Sequence, residues 1–440
     1  MLDGQNELSS LMALEDKTIL YQAITGAGKT AFAVDFLCSY TSKKQKYVYA
    51  TRTRIELCEF IMRIAQYFLD QGLRSNNVIR KITNTFAIKF TLKTTEGETL
   101  DLSVINDSNS WSQWQKDVLA KIIELNVISR ISKESITEVA SKTVLLTTQE
   151  GLLTASLQNN LTDRIVICDE VPQFCMNLNL TDIETKINYA KIVELASKTK
   201  GDFIDMVRKV GVALQSKVCE LIEKTDENGN VFQGVVLSKE HPFKKLIIMS
   251  ASYGPLYLLR EHLNLKVVKS KLNNELIDLY YSLLDIRGLD FELHKSIAKH
   301  DRIASERDLS DTLVIATGSS TLSVDQSSAL ICTNKTGINS LSSFTKVLVA
   351  SDAKLHKSQD FRLRGLFGDA LVEDYEFINA GEVILQSVFR GSIRKREAME
   401  VEFTGRYAIA AFIRALFLND TRKEFFIIFS GKNFNDFKNI

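Results

Sequence analysis

The sequence of 440 residues has few of the residue patterns that build metal centres, disulfide frameworks or nucleophilic hydrolases. Its six cysteines are scattered, and no CxxC pair or cysteine/histidine cluster occurs, which argues against a zinc site and favours reduced thiols. The five histidines follow no ligand spacing, and no Gly-x-Ser-x-Gly motif is present. These absences leave no support for a hydrolase that uses a metal-free serine or cysteine nucleophile.

Long apolar runs are missing as well. No run approaches the roughly 18 apolar residues of a membrane span. The opening MLDGQNELSS lacks the basic segment and apolar core of a signal peptide. We therefore expect a cytoplasmic protein without membrane association. The net charge of +1 excludes a strongly basic nucleic-acid coat but allows a local basic groove.

The patterns that are present indicate an α/β protein with parallel sheets. Short apolar strands alternate with helical periodicity, and the length suggests two or three domains. We place a first domain at 1–265, with insertions near 75–140 and 175–240, and a second at 266–440. The predicted strands are 47–50, 144–147, 165–168, 246–249, 313–316, 329–332, 347–350 and 425–429. The predicted helices are 31–40, 55–68 and most of 183–222, and a hairpin surrounds residues 96–97.

The most informative segment is TILYQAITGAGKT, residues 18–30. An apolar run leads into a glycine-rich loop, and a helical pattern opens at Lys29. Such a loop directs backbone N–H groups and a helix N-terminus at phosphates, while the lysine reaches the β- and γ-phosphates and Thr30 helps to hold Mg²⁺. The alternative is a glycine-rich turn capped by Lys-Thr. The candidate phosphate-binding loop residues are Thr25, Gly26, Ala27, Gly28, Lys29 and Thr30.

A second motif supplies the acids that nucleotide hydrolysis needs. Residues 165–172 read IVICDEVP, a buried strand that ends in two carboxylates. Asp169 would hold Mg²⁺ through water, and Glu170 would polarise the attacking water. A surface acid pair after a strand is the alternative, which the upstream loop disfavours.

Seven segments in order resemble the motifs of superfamily 2 (DEAD/DEAH-like) helicases and ATPases. They are AITGAGKT, YVYATRTRIEL, VLLTTQEGLL, CDEVP, MSAS, CTNKTGINSL and ILQSVFRGSIR, which resemble motifs I, Ia, Ib, II, III, V and VI. Ala23 stands where the general phosphate loop has glycine, as in that superfamily. The last two segments look most like helicase-like proteins of phages and mobile elements. The resemblance implies two tandem RecA-like P-loop domains that bind ATP and Mg²⁺ between them.

The motif VI segment spaces Gln386, Arg390 and Arg394 four residues apart. This spacing predicts one helix face that presents two guanidinium groups to the nucleotide, where either arginine is the candidate finger on the γ-phosphate. An exposed basic helix face is the alternative. By resemblance to motif V, Gly337 and Asn339 lie near the ribose, although the family usually has aspartate at the position of Asn339.

Nucleic-acid contacts are expected at the ends of parallel strands, where ligands of open α/β sheets gather. Hydroxyl and arginine side chains are the usual phosphate contacts. Ordinary turn residues are the alternative at each position. The candidates are Arg52, Thr53, Thr147, Thr148 and, from motif V, Thr333.

The resemblance implies an ATP-dependent helicase or translocase, and the forms of motifs V and VI favour DNA over RNA. Two alternatives stay open: an ATP-driven switch that remodels a protein–nucleic-acid complex without unwinding, and a motor subunit whose partner carries a nuclease or specificity module. Replication or recombination proteins are the expected partners. A phage-encoded protein would act in the host-cell cytoplasm.

Overall fold

The computed structural model describes most of the chain. The described residues are 2–73 without 25, 40–44 and 53, then 143–156, 161–177, 211–289, 296–324, 327–332 and 341–418, with short pieces at 77, 81, 85–87, 91–93, 99–101, 128–130, 428–429 and 432–433.

The helices and strands are numbered in chain order. The helices are α1 Leu2–Ala13, α2 Lys29–Ser39, α3 Arg54–Asp70, α4 Gln149–Ser156, α5 Asn273–Leu283, α6 Ile297–Ser305, α7 Lys357–Phe367, α8 Asp369–Val388 and α9 Arg406–Leu418. The strands are β1 Thr18–Gln22, β2 Lys46–Thr51, β3 Phe86–Ala87, β4 Thr91–Lys93, β5 Thr99–Asp101, β6 Ile128–Arg130, β7 Val144–Thr148, β8 Arg164–Asp169, β9 Met176–Asn177, β10 Cys219–Thr225, β11 Val231–Leu237, β12 Lys245–Ser250, β13 Lys266–Lys269, β14 Leu284–Gly288, β15 Thr312–Ala316, β16 Ala329–Cys332, β17 Lys346–Ala350, β18 Met399–Phe403, β19 Ile428–Phe429 and β20 Lys432–Asn433.

The first unit is built on a parallel sheet with the strand order β13-β1-β12-β8-β2-β7-β3. Every residue of β1 and β12 is buried, because helices and connections cover both faces. Such two-sided burial explains why these strands are continuous apolar runs instead of alternating patterns.

The second unit has its own parallel sheet, with the order β14-β18-β17-β15-β16. The long helix α8 packs beside α9 next to this sheet. The predicted α/β class, with a parallel sheet in each of two tandem units, is confirmed.

The division between the two sheets lies later than the sequence predicts. Residues Lys266–Lys269 form β13, which pairs with β1 and so belongs to the first sheet. The second sheet begins with Leu284–Gly288, which pairs with β18. The predicted boundary at residue 265 is therefore one strand too early, because an isolated short apolar run does not show which sheet it joins.

Most predicted elements are present within a residue or two of their predicted bounds. The predicted helix 183–222 is wrong at its end, since Cys219–Thr225 is a strand whose alternate residues face solvent. Residues 178–210 lie outside the described part, as does most of the predicted strand 425–429. The hairpin predicted around residues 96–97 is confirmed by the antiparallel pairing of β4 with β5. Among the described helices, none has the length and apolar character needed to cross a bilayer.

Two contacts join the units away from the sheet ends. The Phe232 ring of β11 lies 5.3 Å from the Phe361 ring of α7 and covers Gly365 on the same helix. The second contact joins α8 to the 3₁₀ turn Gly254–Tyr257, which follows β12. These contacts fix the position of α8 relative to the first sheet.

The crossing of α8 and α9 depends on the absence of a side chain at Gly381. A Cβ atom there would lie 2.0 Å from the carbonyl oxygen of Ala411, which is backbone and cannot move aside. We predict that Gly381→Ala lowers the free energy of unfolding by about 2–3 kcal/mol or more, because overpacking forces the helices apart. Urea unfolding measures this change. Glu373→Ala, exposed on the same helix, is the control, and equal stability of the two variants would contradict the prediction.

Candidate nucleotide site

Three parallel strands end side by side at the carboxyl edge of the first sheet. In their register Gln22 of β1 lies opposite Ser250 of β12, and Met249 lies opposite Asp169 of β8. The backbone N–H of Ala23 donates to the carbonyl of Ser250 (3.0 Å), so the loop after β1 stays attached to β12. Ligands of open α/β sheets bind at this edge. The sheet therefore brings the glycine-rich loop and the acid pair to one place.

The loop after β1 has the backbone geometry of a phosphate cradle. Gly26 and Gly28 have φ of 88° and 83°, which residues with a Cβ rarely adopt. Helix α2 begins at Lys29, whose Nζ donates to the carbonyl of Ala23 at 3.0 Å. This folds the lysine back across the loop and places its charge at the helix N-terminus, where anions bind. Thr25 lies outside the described residues.

The first acid, Asp169, faces the loop. Thr30 Oγ1 donates to Asp169 Oδ2 at 3.3 Å, and the Tyr49 hydroxyl donates to the same oxygen at 2.6 Å. Burial and the neighbouring Glu170 raise the pKa of Asp169, whereas the Tyr49 hydrogen bond and the charge of Lys29 lower it. The surrounding groups therefore do not fully compensate the negative charge of Asp169.

The second acid, Glu170, is held in an unusual conformation. Its φ is 69°, a left-handed conformation that costs energy for a non-glycine residue. Ser250 Oγ donates to Glu170 Oε2 at 2.7 Å, and Lys29 Nζ lies 4.0 Å from Oε1. Gln149 Nε2 donates to the carbonyls of Asp169 (3.1 Å) and Glu170 (3.3 Å). Residues at the carboxyl ends of β7, β8 and β12 therefore fix the direction of the Glu170 carboxylate.

The arrangement fits a divalent cation of the magnesium type. Thr30 and Asp169 supply a hydroxyl and a carboxylate oxygen, and Mg²⁺ commonly uses one or two protein oxygens together with water and substrate phosphates. The described residues include no cluster of three or more acidic, cysteine or histidine side chains of the kind that holds a metal without a substrate. A cation at this position would supply the positive charge that Asp169 lacks.

The arginine segment of the second unit differs from its prediction. Helix α8 ends at Val388, so Gln386 lies in its last turn, Arg390 in the turn that follows, and Arg394 in the 3₁₀ turn Ser392–Lys395. The prediction of one helix face for these three residues is wrong. The chain turns at Gly391, where a Cβ atom would lie 2.6 Å from the sulfur of Met399. Arg390 is 8% exposed, whereas Arg394 belongs to the exposed residues.

This segment reaches the loop through Tyr280 of α5. The Tyr280 hydroxyl lies 2.3 Å from where a Cβ of Gly26 would be, and its ring meets the Phe389 ring edge to face at 4.7 Å. Burial raises the pKa of Tyr280, and the positive charges of Arg396 and Arg394 oppose that rise. The charges of both arginines therefore act on a hydroxyl group that lies at the loop.

Sequence reasoning missed Tyr280 and Arg396, and it also missed Asn273. Asn273 is fully buried; its Oδ1 accepts the N–H of Ile24 at 3.0 Å, and its Nδ2 donates to the carbonyl of Gln22 at 3.1 Å. The contacts of Asn273 and Tyr280 join residues more than 240 positions apart, so no local pattern marks them. Only Asn273 has a weak signal, as a polar residue that opens an amphipathic helix.

The candidate nucleic-acid residues fall into different settings. Arg52 is half-buried at the end of β2, and its Nε has no hydrogen-bond partner among the described residues. Thr148 Oγ1 accepts the N–H of Gly151 at 3.1 Å and so caps α4. The expectation for Thr147 needs correction, because both faces of β7 are covered at this position and Thr147 is 1% exposed. Outside the described residues lie Thr53, Thr333, Gly337 and Asn339.

The chain was compared with known proteins. No protein-family model matches it, and no curated protein sequence matches it. The solved structures that it resembles include a hypothetical ATP-dependent RNA helicase from Sulfolobus tokodaii (11% identity, 92% of this chain, 97% of that chain, TM-score 0.26). Another is a DEAD box protein from Methanococcus jannaschii (11% identity, 96% of this chain, 91% of that chain, TM-score 0.28). A third is S. cerevisiae Dbp5 bound to RNA and ADP BeF3 (11% identity, 96% of this chain, 88% of that chain, TM-score 0.34). At such low scores, the residues of this chain must carry the functional conclusion.

Proposed function

We propose that this protein is an ATP hydrolase whose activity nucleic acid stimulates, a helicase or translocase of the superfamily 2 type. The observation that carries the proposal is the meeting of two separate segments at one sheet edge. Thr30 lies 3.3 Å from Asp169, and Lys29 lies 4.0 Å from Glu170, although 139 residues separate the hydrogen-bonded pair. A lysine, a hydroxyl and two carboxylates in this arrangement suit phosphoryl transfer to water.

Each residue of the first unit then has a distinct role. Lys29 binds the β- and γ-phosphates, and Thr30 and Asp169 would hold Mg²⁺, which neutralises phosphate charge when bound. Glu170 orients the attacking water and accepts its proton, while Ser250 holds the Glu170 carboxylate in place. The buried setting strengthens each of these electrostatic interactions.

The second unit supplies the positive charge on the other side of the nucleotide. The charges of Arg394 and Arg396 act on Tyr280, whose hydroxyl lies at Gly26 of the loop. Arg390 is buried, and its burial together with the charge of Arg394 lowers the pKa of Arg390. Guanidinium groups supplied across such a cleft stabilise the charge that develops on the transferred phosphoryl group.

The nucleic acid would lie along the carboxyl edge of the first sheet, near Arg52, Thr53 and Thr148, with Thr333 contributing from the second unit. DNA is the polymer that the forms of motifs V and VI favour. Phosphate contacts of this kind carry no sequence information, so the protein would move along a strand without reading it. Strand displacement on duplexes with 5′ or 3′ tails separates an unwinding enzyme from a switch or a motor subunit.

Substitutions in the first unit should separate nucleotide binding from hydrolysis. Lys29→Ala should reduce hydrolysis to background because the phosphates lose the only cation that the loop supplies. Glu170→Gln should keep nucleotide affinity and lose hydrolysis, since the fold and Asp169 remain. Phosphate release and binding of a fluorescent ATP analogue measure the two effects. Glu227→Gln, in the exposed hairpin turn, is the control, and full turnover by Glu170→Gln would remove Glu170 from the mechanism.

The arginine segment should contain at least one residue that acts on the transition state. We expect one or more of Arg390→Ala, Arg394→Ala and Arg396→Ala to lower kcat by about 10³-fold, the scale of an arginine finger. Nucleotide affinity should change much less. Arg302→Ala on the exposed face of α6 is the control for loss of positive charge. The role is disproved if all three variants hydrolyse ATP at the wild-type rate.

Nucleic-acid stimulation should be insensitive to sequence and should weaken steeply with salt, because phosphate contacts release counterions. Arg52→Ala should reduce stimulation while sparing basal hydrolysis. Titration of the ATPase rate with single-stranded DNA, duplex DNA and RNA measures this and tests the preference for DNA. Lys266→Ala, at the opposite edge of the sheet, is the control. Strong hydrolysis that no nucleic acid stimulates would favour a protein-remodelling switch.

A further inference from the structure

A carboxylate of the second unit is buried against the backbone of the first. Glu382 of α8 is 5% exposed and accepts the N–H of Tyr253 and, at 3.0 Å, the N–H of Gly254. Among the described residues, the lysine, arginine and histidine side chains that form ion pairs all pair with other acids. Two backbone amides therefore hold this acid.

Such an arrangement costs free energy, because a buried charge needs strong compensation. The pKa of Glu382 is raised to about 7: burial has the largest effect, the N–H groups of Tyr253 and Gly254 oppose it, and the negative charge of Glu170 adds to it. The other titratable groups that interact with it are the phenols of Tyr253 and Tyr375. Perturbed acids of this kind are concentrated at functional sites.

The backbone that Glu382 binds continues directly into the nucleotide site. Ser250 Oγ donates to Glu170 Oε2 at 2.7 Å, and the N–H of Ser252 donates to Ser250 Oγ at 3.1 Å. Residues 250–254 therefore form one connected segment, with the Glu170 contact at its start and the Glu382 contact at its end.

In the other direction, α8 continues from Glu382 into the arginine segment. Gln386 follows one helical turn later, and Arg390 follows directly after the helix ends at Val388. Glu382 thus lies between the residue that would position water and the residues that would contact the γ-phosphate. A displacement of α8 along its axis would move both contacts at once.

We propose that Glu382 is a positioning residue that couples Glu170 in the first unit to the arginine segment in the second. Its two hydrogen bonds fix residues 250–254 and, from the same helix, set the place of Arg390. The inference rests on the proposed hydrolysis of ATP, and it assigns Glu382 no contact with the nucleotide.

Asp374 offers a matched control on the same helix. It lies eight residues before Glu382, accepts from the hydroxyl of Tyr257, and pairs with Arg414 at 2.9 Å. Both acids thus join α8 to the turn after β12, but Asp374 bonds only to side chains. If Glu382 only held the two units together, substitution of Asp374 should lower activity as much as substitution of Glu382.

The test compares Glu382→Gln, Asp374→Asn and the wild type by kcat and KM for ATP, with and without a polynucleotide. Glu382→Gln keeps the shape of the side chain but presents an NH₂ group to one of the two amides. We expect kcat to fall by about 10²-fold, the cost of misplacing a catalytic group by about 1 Å, with little change in KM. Asp374→Asn should change neither constant appreciably.

The pH dependence supplies a readout that a structural role would not change. The wild-type rate should rise as pH passes through about 7, where Glu382 ionises and accepts both N–H groups fully, and this step should be missing in Glu382→Gln. The free energy of unfolding changes with pH in the opposite direction. Because the pKa of Glu382 in the folded protein lies above the ordinary value, the free energy of unfolding falls as pH rises through 7. Glu382→Gln should show less of this fall.

The outcomes distinguish the inference from the function on which it rests. If wild-type hydrolysis is absent or survives Lys29→Ala, the proposed function fails and the inference fails with it. If Lys29→Ala abolishes hydrolysis but Glu382→Gln retains it, only the inference is overturned. The same holds if Asp374→Asn lowers kcat as much as Glu382→Gln does. Circular dichroism checks folding; should Glu382→Gln not fold, a wild-type rate with no rise near pH 7 overturns the inference.

Discussion

The adjacent carboxylates Asp169 and Glu170 set the constraint on which the rest of the structure depends. Two acids at the end of a buried strand repel each other in a medium that screens charge poorly, and burial raises the pKa of the first. The surrounding groups limit this cost: the hydroxyls of Tyr49 and Ser250 donate to one carboxylate each, and Lys29 approaches Glu170. The pair still lacks a full complement of positive charge. A site that holds two acids in this state is prepared for a cation and for an anionic substrate that brings one.

The strand order gives this pair its distance from the phosphate loop. Because β12 lies between β1 and β8, the loop and the acids start about 10 Å apart, two strand spacings at this sheet edge. Side chains then close the gap: Thr30 reaches Asp169 at 3.3 Å, and Lys29 reaches within 4.0 Å of Glu170. Direct pairing of β1 with β8 would leave no room for a phosphate group between them. The inserted strand also brings Ser250 to Glu170, so one element both makes the space and orients the acid within it.

The sequence predicts those parts of the site whose chemistry lies within one local segment. The loop at residues 23–30 and the acids after β8 are marked by a strand, a turn and the right side chains in succession. The helix face proposed for Arg390 and Arg394 is wrong because residue spacing gives a face only while the helix continues, and close packing at Gly391 ends it. Contacts such as Asn273 with Ile24 join distant parts of the chain, and no spacing rule encodes them. For the same reason, residue 265 looks like a boundary until the pairing of β13 with β1 is known.

Glu170 and the buried Glu382 contact opposite ends of residues 250–254 and give the nucleotide site a route to the second unit. Negative charge on Glu170 raises the pKa of Glu382 and so opposes the ionisation of Glu382. Neutralisation of the Glu170 charge would lower the pKa of Glu382. An ionised Glu382 accepts more strongly from Tyr253 and Gly254, and these stronger hydrogen bonds offset part of the cost of burying its charge. The coupling is reciprocal, since any contact that fixes α8 through Glu382 must favour the charge-neutralised state of the acid pair by the same free energy. Occupancy of the nucleotide site and the position of the arginine segment are thereby linked through a single segment of backbone.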